Sequence, residues 1–240
     1  YQMRNSLCMK LYNTLFEYIV NAVNMKLNVK GDKYIGILDI FGFESLEVNS
    51  FEQLCINYVN ESLQSQFNKY TLEHSQAEYI AEGIDWDYVE YKDNQECLNL
   101  IVGRPGILDI LDEQCKVGGT STSFLNRMNN DNLFIDSPYY TYDNLKKNAF
   151  YIKHYAGKIR YTTNEFCLKN RDAISNEVTD IIDNFALFKK NNNISLEEVP
   201  IRRNSVIGSK SVSYQFKQQM RDLMLLIEST NVHYIRCFKP

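Results

Sequence analysis

Tyr34-Ile35-Gly36-Ile37-Leu38-Asp39-Ile40 runs without a break into Phe41-Gly42-Phe43-Glu44. The first seven residues are short and apolar on both faces, the pattern of a buried central strand. An apolar strand that ends in Asp-x-x-Gly has a physical use in phosphate-binding proteins. The acid at the strand end, Asp39, can hold a water of a Mg2+ shell beside a bound nucleotide. Gly42 has no Cβ, so its backbone can come close to a terminal phosphate. Its N–H can then donate to a γ-phosphate oxygen and register whether that phosphate is there. Taken alone the pattern is a weak signal, because a plain strand-to-turn junction produces it as well.

The surroundings sharpen it. Asn49 or Ser50 predicts a helix N-cap, and Glu52 or Gln53 stands where a capping box would close. Phe51, Leu54 and Tyr58 make one apolar stripe, and Ile56, Val59, Leu63, Phe67 and Tyr70 another, so the helix is predicted to run to about Tyr79–Ala81 and to stop near Gly83. Thirty helical residues reach roughly 45 Å, enough to join distant parts of a domain. Upstream, Leu7, Leu11, Leu15, Tyr18, Ile19, Ala22 and Val23 predict an amphipathic helix over 4–26. Downstream, Gly106–Gln114 and Ser123–Met128 read as helices around a Gly118-Gly119-Thr120-Ser121 turn. Residues 131–148 have no period and read as a loop. Phe150–His154 and Ile159–Thr162 read as a hairpin around Ala156-Gly157. Ile174 to Phe185 predicts a helix, Lys189–Ser211 a polar surface loop, Val212 to Ile227 a helix, and His233–Phe238 a closing strand.

Composition bounds the function. The 240 residues are 44% hydrophobic and 23% charged, with a net charge of −4, which argues against a nucleic-acid binder held by phosphate contacts. The charge is uneven, acidic in the first two-thirds and basic in the last third. Six scattered cysteines with no C-x-x-C, and isolated His74, His154 and His233, give no legible zinc site and fit a reducing cytoplasm. No apolar run approaches the ~20 residues that span a bilayer. The chain opens on Tyr1 rather than Met and is read as a piece of a longer protein.

Asp39-Ile40-Phe41-Gly42-Phe43-Glu44 resembles the second switch loop of myosins. Asn49-Ser50-Phe51-Glu52-Gln53-Leu54-Cys55-Ile56-Asn57-Tyr58-Val59-Asn60-Glu61 is similar to the start of the myosin relay helix, and Glu82-Gly83-Ile84-Asp85-Trp86 to the relay loop. His154-Tyr155-Ala156-Gly157 and Lys169-Asn170-Arg171-Asp172 resemble runs of the family's lower subdomain. His233–Pro240 resembles the strand before its reactive-thiol helices. The matches fall in the family's order and cover nearly the whole chain, which is identified as a myosin motor-domain piece of unconventional type.

That resemblance implies an α/β fold of the P-loop NTPase type, mostly helical, with strands of an incomplete central sheet and a small hairpin. It implies this order of parts: an upper-subdomain helix over 1–30, strand and switch over 31–49, relay helix and loop over 50–90, and a lower, actin-facing subdomain over 91–188. A variable loop over 189–211 and a helix with closing strand over 212–240 would follow. ATP and Mg2+ would be the cofactors. Asp39 would approach the Mg2+ water shell, Gly42 the γ-phosphate, and Glu44 would pair with an arginine and orient the attacking water. Phe43, Phe51 and Trp86 would carry the signal outward.

An actin filament would be the partner. Pro105, Ile107 and Leu108 would dock as apolar tips, and Lys189, Lys190, Arg202, Arg203 and Lys210 would steer. Met220, Arg221, Leu223 and Arg236 fall in a segment the family assigns to actin, although Leu223 and Ile227 share an inward stripe that fits core packing. Calmodulin-like light chains would bind a neck outside this sequence, in a cytoplasmic, cytoskeleton-associated protein.

Two departures stand out. No G-x-x-x-x-G-K-[ST] run occurs in the 240 residues, nor a first switch loop, so this stretch alone is expected neither to bind nor to hydrolyse ATP. Gly103-Arg104-Pro105-Gly106 is one residue short of the family's turn, which predicts weaker actin docking. The competing reading is a non-catalytic actin- or partner-binding module derived from a motor.

Overall fold

The computed structural model describes residues 2–27, 33–87, 89–90, 93–145, 148–171 and 211–235. The chain falls into two compact units, Tyr1–Asp39 with Asp172–Ser209, and Ile40–Arg171 with Lys210–Pro240. The fold is mixed α/β and mostly helical, with one small antiparallel sheet.

In the first unit the described parts are helix α1, Gln2–Leu27, and residues 33–39. The periodicity of the leucines predicts α1 and the structure forms it. Residues 34–40 depart from expectation. They carry no regular structure, and Ile35 and Ile37 are 95% and 92% exposed. A strand exists only as a hydrogen-bonded pair, and no strand among the described residues pairs with this run. Its two-faced apolarity is real, but burial needs sheet neighbours on both sides.

In the second unit the long helix comes first. α2 spans Phe51–Asn68, a π-helical segment Lys69–His74 follows, and α3 continues through Ser75–Ala81. The rod is therefore helical throughout, as the sequence predicts, and it ends at Gly83, whose φ of 71° suits glycine. Its start is a capping box: the Ser50 N–H donates to Gln53 Oε1 at 2.9 Å.

α4 (Gln95–Val102), α5 (Ile107–Lys116), α6 (Ser121–Asn129) and α7 (Asn132–Ile135) follow. The α4–α5 turn requires its glycines. A Cβ on Gly103 would lie 2.2 Å from the Asn99 carbonyl oxygen, and one on Gly106 would lie 2.8 Å from the Gly103 nitrogen.

β1 (Tyr140–Tyr142), β2 (Ala149–His154) and β3 (Gly157–Thr162) form the sheet, with Phe150 opposite Tyr161 and Ile152 opposite both Tyr140 and Ile159. The predicted hairpin is β2–β3. The predicted loop at 131–148 instead contributes α7 and the third strand β1, elements too short for periodicity to announce. α8 (Phe166–Asn170) and α9 (Val212–Glu228) complete the described elements. Residues 231–235 are irregular where a closing strand over His233–Phe238 was expected, again without a pairing neighbour among the described residues. The predicted helix at 174–185 and the polar loop, together with Lys189, Lys190, Arg202, Arg203, Lys210 and Arg236, lie outside the described residues.

The core gathers on Phe166, whose ring meets Phe51 at 5.7 Å, Phe124 at 5.9 Å and Phe150 at 6.0 Å. Leu54, Ile101, Ile107, Leu108 and Leu111 close it. Asp112 stitches α5 to α8 and α9. It accepts from Asn170 Nδ2 at 3.0 Å, from the Ser211 and Ser213 hydroxyls, and pairs with Lys217 Nζ at 3.3 Å. Burial alone would raise its pKa. The two hydroxyls, the amide and the lysine outweigh burial and hold the carboxyl below its usual value.

A carboxyl held low in the fold adds stability that is fully present above its unfolded value and is lost as pH falls through the lower folded one. Below about pH 4 the seam should therefore weaken. Asp112→Asn should lose about 1–3 kcal/mol at pH 7 and flatten this acid limb, read as the denaturant midpoint against pH. An unchanged acid limb would contradict the assignment.

Candidate functional site

The loop 41–46 carries Gly42, Phe43 and Glu44, and three asparagines hold it. Asn60 Nδ2 donates to the Phe41 carbonyl at 3.0 Å. Asn57 uses its whole carboxamide: Oδ1 accepts the Glu44 N–H at 2.8 Å while Nδ2 donates to the Glu44 carbonyl at 2.8 Å. Asn49 does the same for Leu46, with the Leu46 N–H at 2.8 Å and its carbonyl at 3.0 Å. It also ties the loop to β3: its backbone carbonyl accepts from the Thr162 N–H at 2.8 Å and its Nδ2 donates to the Arg160 carbonyl at 3.1 Å. A side chain that satisfies both backbone groups of one residue replaces a strand partner, so the loop is fixed without a ladder.

Side chains extend the arrangement. Gln53 Nε2 donates to Glu44 Oε2 at 3.1 Å, so the residue that closes the helix cap also positions the glutamate. Phe43 is half-buried, edge-on to His154 at 5.4 Å and to Tyr155 at 5.6 Å. Around Gly42 the space is open, with no atom within 4 Å of where a Cβ would stand. Asp39 is exposed and belongs to the first unit.

Behind the loop lies a buried polar chain. Asn57 Nδ2 also donates to the Tyr161 hydroxyl at 2.9 Å, and that hydroxyl is 2.8 Å from His154 Nε2. His154 Nδ1 is 3.0 Å from Glu61 Oε2. An amide NH2 can only donate, so the phenol oxygen accepts there and gives its own proton to Nε2. Nδ1–H then donates to Glu61. Glu61 also accepts from the Tyr155 N–H at 3.0 Å and from Asn94 Nδ2 at 2.6 Å, at the N-cap of α4. Burial pushes the Tyr161 phenol well above its usual range.

Cys97 joins Glu61 and His154, with their donor atoms all within 4.8 Å of one another, a grouping of metal-ligand types. Sequence spacing could not announce it, since the three sit on three different elements. Glu61 and His154 satisfy each other and their neighbours in a buried hydrogen-bonded core. Cys97 lies beside them, and burial, with the Glu61 charge, pushes its thiol up to about 12.

Other expected site residues distribute unevenly. Ile107 and Leu108 are fully buried, which corrects their reading as docking tips: α5 turns its apolar face into the core. Met220 is likewise a core residue, and Leu223 and Ile227 are half-buried on the predicted inward stripe. Pro105, Arg221 and Arg104 are exposed. Trp86 is 43% exposed rather than a core residue. Its indole N–H donates to Gln76 Oε1 at 3.0 Å and its ring lies 4.9 Å from Tyr79, which folds the segment after Gly83 back on α3.

The family model for the myosin head (motor domain) matches residues 1–240. The chain is 40% identical over 251 residues to Myosin-51 of Schizosaccharomyces pombe, covering 99% of this chain and 17% of that protein. It is 35% identical over 270 residues to Unconventional myosin-Va of Gallus gallus, covering 99% and 14%. It is 38% identical over 248 residues to Myosin-I heavy chain of Dictyostelium discoideum, covering 99% and 10%. The chain thus spans less than a fifth of the length of these relatives.

Tyr161→Phe removes one hydroxyl and leaves Asn57 Nδ2 one acceptor short and His154 Nε2 without its donor in a dry site. The expected loss is about 1–3 kcal/mol in the unfolding free energy. A loss below about 0.5 kcal/mol would mean the chain of hydrogen bonds is not closed as described.

Proposed function

Because the chain belongs to the myosin head motor-domain family, we propose that it supplies the phosphate-sensing loop and relay rod of an ATP-driven motor that moves on actin filaments. One observation carries the reading: Glu44 is bound through both backbone groups and its carboxylate to the first turns of the rod, while the space at Gly42 is open. A loop with an accessible backbone N–H at one residue and a rigid link to a long helix two residues on is suited to turn phosphate contact into helix motion.

Gly42 would take the γ-phosphate through its N–H, Glu44 would orient the attacking water, and Asp39 would hold a water of the Mg2+ shell. ATP with Mg2+ supplies the phosphoryl group and the charge that holds it. Phosphoryl transfer needs positioning and charge stabilisation, and the double backbone bond to Asn57 fixes Glu44 for that task. No G-x-x-x-x-G-K-[ST] cradle occurs in these 240 residues, so the stretch by itself is read as catalytically silent and the intact motor as the ATPase.

The rod then transmits. Phe51 anchors its start in the core, Phe43 wedges against the hairpin, and the π-helical segment is a natural place for it to bend. Trp86 would report the far end. Actin would meet the exposed Pro105 turn and Arg221, with Leu223, Arg236 and the basic Lys189, Lys190, Arg202, Arg203 and Lys210 adding contact and steering. Calmodulin-like light chains would bind a neck outside this sequence. The motor would work in the cytoplasm on the cytoskeleton, and no described helix is long and apolar enough to cross a membrane.

Gly42→Ala tests the reading in the intact protein. A Cβ meets nothing in the fold, so the unfolding midpoint should not move, but it would stand where the phosphate must approach. Actin-activated ATP hydrolysis should fall about 10²–10³-fold. Turnover at the wild-type rate would overturn the proposal. So would an intact wild-type protein that binds actin and never turns over ATP, which is the behaviour of a binding module.

A further inference from the structure

Two cysteines distant in sequence meet beside the Asp112 seam. Cys115 lies in the last turn of α5 and Cys167 in the first turn of α8, 52 positions later. The Cys115 thiol donates to the Cys167 carbonyl oxygen at 3.6 Å, and its sulfur accepts from Asn170 Nδ2 at 3.6 Å. The end of α5 and the start of α8 thus bring the two cysteines together. Both are free. Cys115 is half-buried, so a small solute can reach it, whereas Cys167 is buried behind it.

We propose that Cys115 and Cys167 are a peroxide-oxidised pair that closes into an intramolecular disulfide, clamping the end of α5 to α8. The steps balance with hydrogen peroxide as oxidant. The Cys115 sulfur attacks one peroxide oxygen, the O–O bond breaks, and a sulfenic acid and one water result. The Cys167 sulfur then attacks the Cys115 sulfur. The S–O bond breaks, and the departing hydroxide takes the Cys167 proton and leaves as a second water. Two thiols lose two electrons in all, and one peroxide becomes two waters.

Exposure fixes the order. Peroxide meets half-buried Cys115 before buried Cys167, whose thiol burial also pushes up to about 11, so Cys115 reacts first and Cys167 acts as the resolving partner. Exposed Cys8 on α1 is open to the same oxidant and serves as an internal marker that oxidation has occurred. The clamp has a place to act. Asn170, three residues after Cys167, reaches Asp112, three before Cys115, and Ser213 at the start of α9 binds both. A covalent link here would stiffen the junction of three helices.

The test uses the intact protein that carries this chain. It is exposed to hydrogen peroxide until Cys8 is modified, then alkylated, digested without reduction and mapped by mass spectrometry. The expected product joins the Cys115 and Cys167 peptides, lighter by two hydrogens than their sum and split again by dithiothreitol. In Cys167→Ala the Cys115 sulfenic acid should persist and be trapped by dimedone, and the cross-link should vanish. Separate alkylation of both cysteines after Cys8 has reacted would overturn the proposal. So would conversion of Cys115 to its sulfinic acid with no cross-link in the wild type.

Discussion

The constraint on which the rest depends is the double hydrogen bond between the Asn57 carboxamide and the backbone of Glu44. Under the proposed function, a loop that reads a phosphate would have to be free to meet it and still be mechanically joined to whatever moves. Glycine at 42 suits the first need. Asn57 suits the second, because it sits in the second turn of the helix that would respond. The bond is protected by burial: Asn57 is fully buried and its remaining proton goes to Tyr161. In a dry site neither bond can be exchanged for water, so a displaced Glu44 must carry Asn57 with it or pay the cost of unpaired polar groups.

From that point the polar chain explains why the base of the rod stays rigid. Tyr161, His154, Glu61 and Asn94 lie on β3, on β2, on α2 and at the cap of α4, and each is satisfied by the next. Removing one member strands its neighbour, so the network holds four elements in one arrangement. Farther along, Phe67 and Tyr70 meet Tyr234 at 5.0 Å and 6.1 Å, at the entrance to the π-helical segment. The rod is thus gripped at its start and touched at its middle, and near its end Gln76 and Tyr79 clasp Trp86 and Val89.

Much of this was legible in the sequence, and the reasons are physical. The rod was, because thirty residues of 3.6-residue periodicity with Ser50 and Gln53 at the cap leave little choice. The hairpin was, because Gly157 stands at a turn with φ of 149° between two β-rich runs. The Asp39-to-Glu44 stretch is singled out by its motif alone. The buried chain was not, since Asn57, Glu61, Asn94, His154 and Tyr161 have no mutual spacing and join only through tertiary packing. Nor could periodicity place Ile107 and Leu108, since docking tip and core residue share one hydrophobic identity and only the facing elements decide. Tyr34 to Ile40 shows the reverse error: the apolar run was read correctly, but a strand is a relation between segments and not a property of one.

The central claim is mechanical coupling through Asn57, and Trp86 at the far end of the rod offers the readout. In the intact protein, the response of Trp86 emission to ATP should be compared between wild type and Asn57→Ala, each after subtraction of the signal of its Trp86→Phe counterpart, with nucleotide affinity measured in parallel. The account predicts near-normal nucleotide binding and a Trp86 response that is abolished in the variant. A Trp86 response of full size in Asn57→Ala would contradict it.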